Sequence, residues 1–207
     1  MPDRSKANIS TRKLPKQTRS AYLVTAILQA AIQVLVEEGA PRFTTARVAE
    51  KAGVSIGSLY QYFPNKASIL FRLQSDEWKE TSDLLRMILQ DQTRPPPERL
   101  RALVHAFIQS ECEEAAVRGA LDDAAPLYRD TPEAKAAKGS ADLIFDAFMG
   151  EALPDASEHI RGVAGDLIMT TLSTVGKDFS ETPRVTAEIT AYADAMADMF
   201  CAYLRTV

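Results

Sequence analysis

Residues 44–66 read TTARVAEKAGVSIGSLYQYFPNK, and this stretch decides the fold. Thr44 and Thr45 stand where the unpaired amides of a helix N-terminus need side-chain oxygens, and Val48, Ala49 and Ala52 follow at helical spacing. Ala49 is small enough to let another helix cross closely. Gly53 supplies the backbone freedom of a tight turn, Val54 tucks an apolar group beneath it, and Ser55 can cap a second helix. That second helix can bury Leu59 and Phe63. It must stop near Pro64, because the residue before a proline avoids helical angles. A helix, a short glycine-containing turn and a second helix make a helix-turn-helix unit.

The outer face of the second helix then carries Ile56, Gly57, Ser58, Gln61 and Tyr62, with Tyr60 on its flank. Nothing in it is arranged as an acid, base or nucleophile. Glycine inside so short a helix costs about 1 kcal/mol against alanine unless something must approach its backbone. DNA is a sufficient reason. Hydroxyls and an amide can bond base edges or phosphates, and Ile56 can meet a thymine methyl in the major groove. With no Arg or Lys on this helix, electrostatic affinity has to come from Lys66, Arg47, Lys51 and the amino-terminal tail.

The charge distribution agrees. The 207-residue chain has a net charge of −4, which does not advertise nucleic acid. Yet residues 1–66 hold ten Lys or Arg against four Asp or Glu, a local +6, so the remainder carries −10. One end is suited to phosphate and the other is kept off it. With 46% hydrophobic and 25% charged residues the chain is of ordinary globular composition. No run approaches the roughly 18 apolar residues of a membrane span, and the first nineteen residues lack the apolar centre of a signal peptide. A cytoplasmic protein with no membrane partner is expected. Cys112 and Cys201, far apart in sequence, suit a reducing compartment.

Working outward, helical periodicity recurs and strand-like alternation does not, so an all-α fold of about nine helices is expected. Leu23, Ile27, Ala30, Ala31, Val34 and Leu35 line a first helix that Gly39 can end. A long helix follows the cap Asn65 and ends before the prolines of residues 93–98. A fifth carries Leu100, Leu103, Val104, Phe107 and Ile108. A short sixth segment near residues 119–130 is interrupted by Pro126, and a seventh starts at Thr131–Pro132. Asp155 with Glu158 reads as a capping box for the eighth, and Thr182–Pro183 as the start of the last. Residues 1–19 read as a basic flexible tail, 20–66 as the DNA-binding domain, and 67–207 as a helical domain for ligand binding and dimerisation.

The stretch FTTARVAEKAGVSIGSLYQYFPNK, with an amphipathic helix before it and a long one after, resembles the DNA-binding domain of the TetR family of bacterial transcriptional regulators. Thr44, Thr45, Ala49, Gly53, Val54, Ser55, Gly57, Leu59, Tyr60, Phe63 and Lys66 carry the match. The resemblance implies that residues 56–62 are the recognition helix, with Ile56 and Ser58 near base edges, and that Thr45, Tyr60, Tyr62 and Lys66 contact phosphates. Ala46 departs from members that read a base with a basic residue there, although Arg47 beside it can reach phosphate. The resemblance also implies a homodimer paired through its last two helices, a palindromic double-stranded DNA operator, and a small-molecule inducer held in the acidic half. The inducer would shift the fourth helix and change the separation of the two recognition helices.

In that acidic half Trp78, Met87, Phe107, Cys112, Tyr128, Phe145, Phe148 and Met149 are candidate pocket residues, although each reads first as ordinary core. No cofactor or metal is expected. His105 and His159 are the only histidines, and Glu111, Glu113 and Glu114 read better as a solvated face than as ligands. No phosphate-cradling or nucleophile-elbow motif appears, so an enzyme is the weaker reading. A DNA-binding regulator without an inducer stays open as the alternative.

Overall fold

The computed structural model describes residues 18–137 and 140–207, and every regular element among them is helical. The helices are α1 (Thr18–Arg42), α2 (Thr45–Lys51), α3 (Ile56–Tyr62), α4 (Lys66–Leu89), α5 (Pro96–Ala124), α6 (Pro132–Ala137), α7 (Ser140–Ala152), α8 (Glu158–Ser180) and α9 (Thr186–Leu204). A single 3-10 turn, Ala125–Leu127, follows α5. The expected all-α class with about nine helices holds for the described residues.

Several boundaries differ from the sequence reading. The helix α5 runs through Gly119 to Ala124, and the anticipated sixth segment is the last turns of α5 plus the 3-10 turn at Pro126. The cost of one helical glycine, about 1 kcal/mol, is offset because Leu121 and Ala124 on the same stretch are buried. The anticipated seventh helix is two, α6 and α7. Its start was legible: Thr131 Oγ1 accepts the Ala134 amide at 3.2 Å. Asp155 is not the cap of α8; Ser157 is, with its Oγ accepting the Ile160 amide at 3.3 Å. Nor does α9 begin at Pro183. It starts at Thr186, where the Val185 amide donates to Glu188 Oε2 at 3.1 Å. In α1 the helical angles break at Gly39 (φ 75, ψ 167) and resume for one turn. By length and composition residues 20–42 are apolar enough to cross a membrane, but Ile27, Ala31, Val34 and Leu35 lie in a protein core.

The described chain forms two compact units. The first takes residues 18–79 and 116–137, and the second residues 80–115 and 140–207, so α4 and α5 each contribute to both. In the first, α1 to α4 bury Leu35, Phe43, Val48, Leu59, Phe63 and Leu70 together with Leu121, Ala124 and Tyr128. Tyr128 donates its hydroxyl to Gln74 Oε1 at 3.1 Å and approaches the Leu121 carbonyl at 3.3 Å. Arg118 and Glu77 pair at 3.3 Å in the same unit.

The second unit packs α5, α7, α8 and α9 around Leu103, Phe107, Phe148, Ile168, Leu172 and Phe200. Close approach is built in at Gly176, where a Cβ would sit 3.2 Å from Phe107 and Ile108. Arg99, only 3% exposed, donates to the Leu89 carbonyl at the end of α4 and to Glu151 at 2.6 Å. Its guanidinium carbon lies 5.4 Å from the Phe148 ring centre. A cation at a helix C-terminus and over an aromatic face is held by both fields. On the outside of this unit Arg101 pairs with Asp198, and His105 Nε2 lies 3.0 Å from Asp194.

Candidate nucleic-acid interface

The geometry of residues 44–66 follows the local chemistry. Thr44 is extended, and its Oγ1 accepts the Arg47 amide at 3.3 Å, opening α2. At the turn Gly53 takes φ 66, a left-handed angle that a side chain disfavours. There its amide reaches the Glu50 carbonyl at 3.1 Å and the Val54 amide the Ala49 carbonyl at 3.0 Å. Ser55 opens α3 by accepting the Ser58 amide at 3.0 Å, and the two serine hydroxyls lie 2.8 Å apart. Phe63, at φ −118 and ψ 111, leaves helical space before Pro64. Asn65 Oδ1 then accepts the Ser68 amide at 2.9 Å and starts α4.

These caps set which side chains face outward. Val48, Ala49, Leu59 and Phe63 are buried. Ile56 is 41% and Tyr60 40% exposed, high for large apolar or aromatic groups on a small unit. Gln61 and Gly57 are exposed, and Ser58 and Tyr62 half-buried. Thr45 Oγ1 and Tyr60 Oη are hydrogen-bonded at 3.0 Å, so both hydroxyls lie together on the surface. Among the described residues Gln61 and Tyr62 have no hydrogen-bonding partner.

The cations divide into two kinds. Arg47 pairs with Glu38, and Lys51 with Glu37 at 3.0 and 3.2 Å to its two oxygens. Exposed pairs of this sort contribute only about 0.2–1 kcal/mol, but they place a carboxylate beside each α2 cation. These pairs are hidden in the sequence, since Glu37 and Glu38 precede their partners by 14 and 9 positions across a turn. Lys66 is different. It stands at the first position of α4, the positive end of the helix dipole, where a cation is unfavourable for the helix itself. Among the described residues it has no ionic partner. The tail cations Arg4, Lys6, Arg12, Lys13 and Lys16 lie outside the described residues.

The residues named for a ligand pocket fall in different places. Tyr128 is in the core of the first unit, and Trp78 of α4 is half-buried in the same unit, outside that core. Phe107, Phe145, Phe148 and Met149 are core residues of the second unit, with Cys112 packed against them. Burial pushes the Cys112 thiol above its usual range. Met87 is 67% exposed. It borders a pocket of about 190 Å³ in the second unit, together with Ile88, Asp91, Arg94, Arg99 and Ala102. Among the described residues no group of His, Cys, Asp or Glu is placed to hold a metal ion.

Comparison with known proteins extends this picture to both units of the fold. Residues 27–73 match the family described as "Bacterial regulatory proteins, tetR family", and residues 95–207 match "Tetracyclin repressor-like, C-terminal domain". The nucleoid occlusion factor SlmA of Vibrio campbellii (strain ATCC BAA-1116) is 37% identical over 83 residues, 40% of this chain and 42% of that protein. The fatty acid metabolism regulator protein of Bacillus subtilis (strain 168) is 40% identical over 58 residues, 28% of this chain and 29% of that protein. The match thus spans less than half the length of these curated relatives. Among solved structures, the fatty acid degradation regulator FadR of Bacillus halodurans superposes with a TM-score of 0.69. It is 19% identical, over 91% of this chain and 97% of that one. FadR of Bacillus subtilis in complex with stearoyl-CoA gives 0.64 at 16% identity, over 86% and 97%. At those identities the superpositions speak to fold alone.

Proposed function

Because the chain belongs to the TetR family of bacterial regulatory proteins, we propose that it is a cytoplasmic, dimeric repressor released from a palindromic operator by a small molecule. The observation that carries the DNA-binding part is the outer face of α2 and α3. An exposed isoleucine, an unpartnered glutamine and the Thr45–Tyr60 hydroxyl pair surround a glycine, with Lys66 at the adjoining helix start. Such a face binds phosphates and base edges and has no group suited to bond-making chemistry.

Dimerisation is supported by apolar side chains left exposed on the last two helices. Val163 and Leu167 on α8, and Met199 on α9, face outward beside the small exposed residues Ala191, Ala195 and Ala202. Two such faces can pack closely, and a symmetric pair of helix-turn-helix units fits half-sites about 34 Å apart.

The inducer part rests on the core of the second unit. One relative of this fold was solved with stearoyl-CoA, and the second unit has an aromatic and methionine-rich core in which a hydrophobic ligand could lodge. The approach of Gly176 to Phe107 and Ile108 is tight, so a ligand there would favour a more open conformation. Its effect on DNA binding can be no larger than its differential affinity for the two states. A regulator without an inducer is the second reading.

Fluorescence anisotropy of the full chain with duplexes from its own promoter, over a salt series, tests the proposal. Salt-sensitive, sequence-selective binding is expected. Absence of binding at low salt, or binding indifferent to salt, overturns it. Leu167→Glu together with Met199→Glu should yield monomers by light scattering and weaken operator binding; an unchanged mass would remove α8 and α9 from the interface.

A further inference from the structure

Resting on that DNA-binding reading, we propose that the recognition helix reads A·T pairs: a thymine methyl against Ile56 and an adenine against Gln61, with no guanine contact from α2 or α3. The argument is one of which groups are free. Leu59 and Phe63 are buried. Ser58 is engaged by Ser55 Oγ at 2.8 Å and Tyr60 by Thr45 at 3.0 Å. What α3 offers to a groove is therefore Ile56, exposed; Gln61, exposed and unpartnered; and Gly57, whose missing side chain lets the helix come close, while Tyr62, also unpartnered but half-buried at the helix end, is left for phosphate.

Base chemistry then selects. Guanine is read chiefly by the forked or pointed cations Arg and Lys on its O6 and N7. The α3 segment has neither, and Ala46 occupies the outer first turn of α2. The two α2 cations have carboxylate partners, Arg47 on Glu38 and Lys51 on Glu37. Swinging either toward a base would strand a glutamate near the polyanion, a like-charge penalty that a guanine contact must overcome. An aliphatic group matches the thymine C5-methyl, and a glutamine amide matches adenine N6 and N7 in a bidentate pair. The remaining cation, Lys66, stands at the start of α4 and serves phosphate.

The test is selection of randomised duplexes with the full-length protein, followed by base-analogue substitution in the selected site. In each half-site a T and an A should be fixed at the contacted positions. Uracil in place of that thymine should weaken wild-type binding severalfold, and 7-deazaadenine in place of that adenine by about tenfold. The first loss should vanish in Ile56→Ala and the second in Gln61→Ala. Both residues are surface groups, and unchanged low-salt affinity for random duplex will show that the variants fold. A G·C pair fixed at both positions overturns the proposal, as does an analogue penalty equal in wild type and variant. Selective binding with such a G·C site leaves the regulator reading standing, whereas absence of salt-dependent binding to every duplex removes the regulator reading itself.

Discussion

The hydroxyls of Thr45 and Tyr60 meet at 3.0 Å, joining the first turn of α2 to the middle of α3 on the outer surface. Neither group is buried, so the bond contributes little to folding, about 0.5–1.5 kcal/mol at most. One hydroxyl proton is used in that bond, and the other is left on the same exposed spot to donate to a single phosphate. Tyr60→Phe is expected to weaken binding to operator and to random duplex alike, by about threefold to tenfold, because a phosphate contact carries no sequence information. The melting temperature should stay within about 2–3 °C, roughly the shift that 1 kcal/mol produces in a chain of this size. A loss confined to operator would assign the hydroxyl to base readout instead.

Lys66 and Arg47 are expected to behave differently despite equal formal charge. Removing Lys66 as Lys66→Ala should lower the slope of log K against log salt by about one. Arg47→Ala, whose side chain is paired with Glu38, should change the slope by much less. Binding isotherms at four or more salt concentrations separate the two. Equal slope changes would mean that the phosphate displaces Glu38.

Gly53 is expected to resist substitution through its backbone alone. A Cβ there meets nothing within 4 Å, but φ is 66. Gly53→Ala should then cost about 1–2 kcal/mol, and Gly53→Val more, since a branched side chain fits left-handed angles worst. Gly53→Asn should be the mildest. Chemical denaturation of the three variants checks the order; equal costs for Asn and Val would point to a clash.

Tyr128 should set an alkaline limit on stability. Desolvation by burial, aided by the negative charge of Asp122 and Glu77, pushes its phenol well above the usual tyrosine value. The folded state therefore holds the proton more tightly than the unfolded chain. Stability from this group is complete below about pH 10, the unfolded value, and is lost as pH rises above it. Tyr128→Phe should flatten the decline of stability above pH 10. Near neutral pH it should cost about 1–2 kcal/mol for the hydrogen bonds it removes. Unfolding midpoints from pH 7 to 11 give both numbers.

The helix-turn-helix was legible because its determinants are local. Thr44, Gly53, Ser55, Pro64 and Asn65 each act within about four residues, and the structure uses each as its chemistry suggests. What escaped is set by distant partners. Tyr128 reads as one more aromatic in the acidic half, but its hydroxyl acceptor, Gln74, lies 54 positions away, and only the fold brings them together. Pairing of Glu37 and Glu38 with the α2 cations is hidden in the same way. A separate sixth segment near residues 119–130 is suggested because local propensity is all the sequence displays, whereas burial of Leu121 and Ala124 joins most of it to α5. The start of α8 lies two residues past Asp155 because Asp155 and Ser157 compete as caps, and α9 starts three residues late because its cap position, Val185, has no side-chain oxygen to read and is held by Glu188 instead.

The core beneath the DNA-facing helices is closed by Leu121, Ala124 and Tyr128, from a segment that returns after residues 80–115 have gone to the other unit. This orders events at the ribosome. Synthesis runs from the amino terminus at about 5–20 residues per second, so α1 to α3 emerge several seconds before the residues that seal them. Over that interval the α4 surface of Phe71 and Gln74, which Tyr128 covers, faces water, and the nascent chain has its reading head without its foundation. A gene fragment that stops at residue 79 would make that transient state permanent.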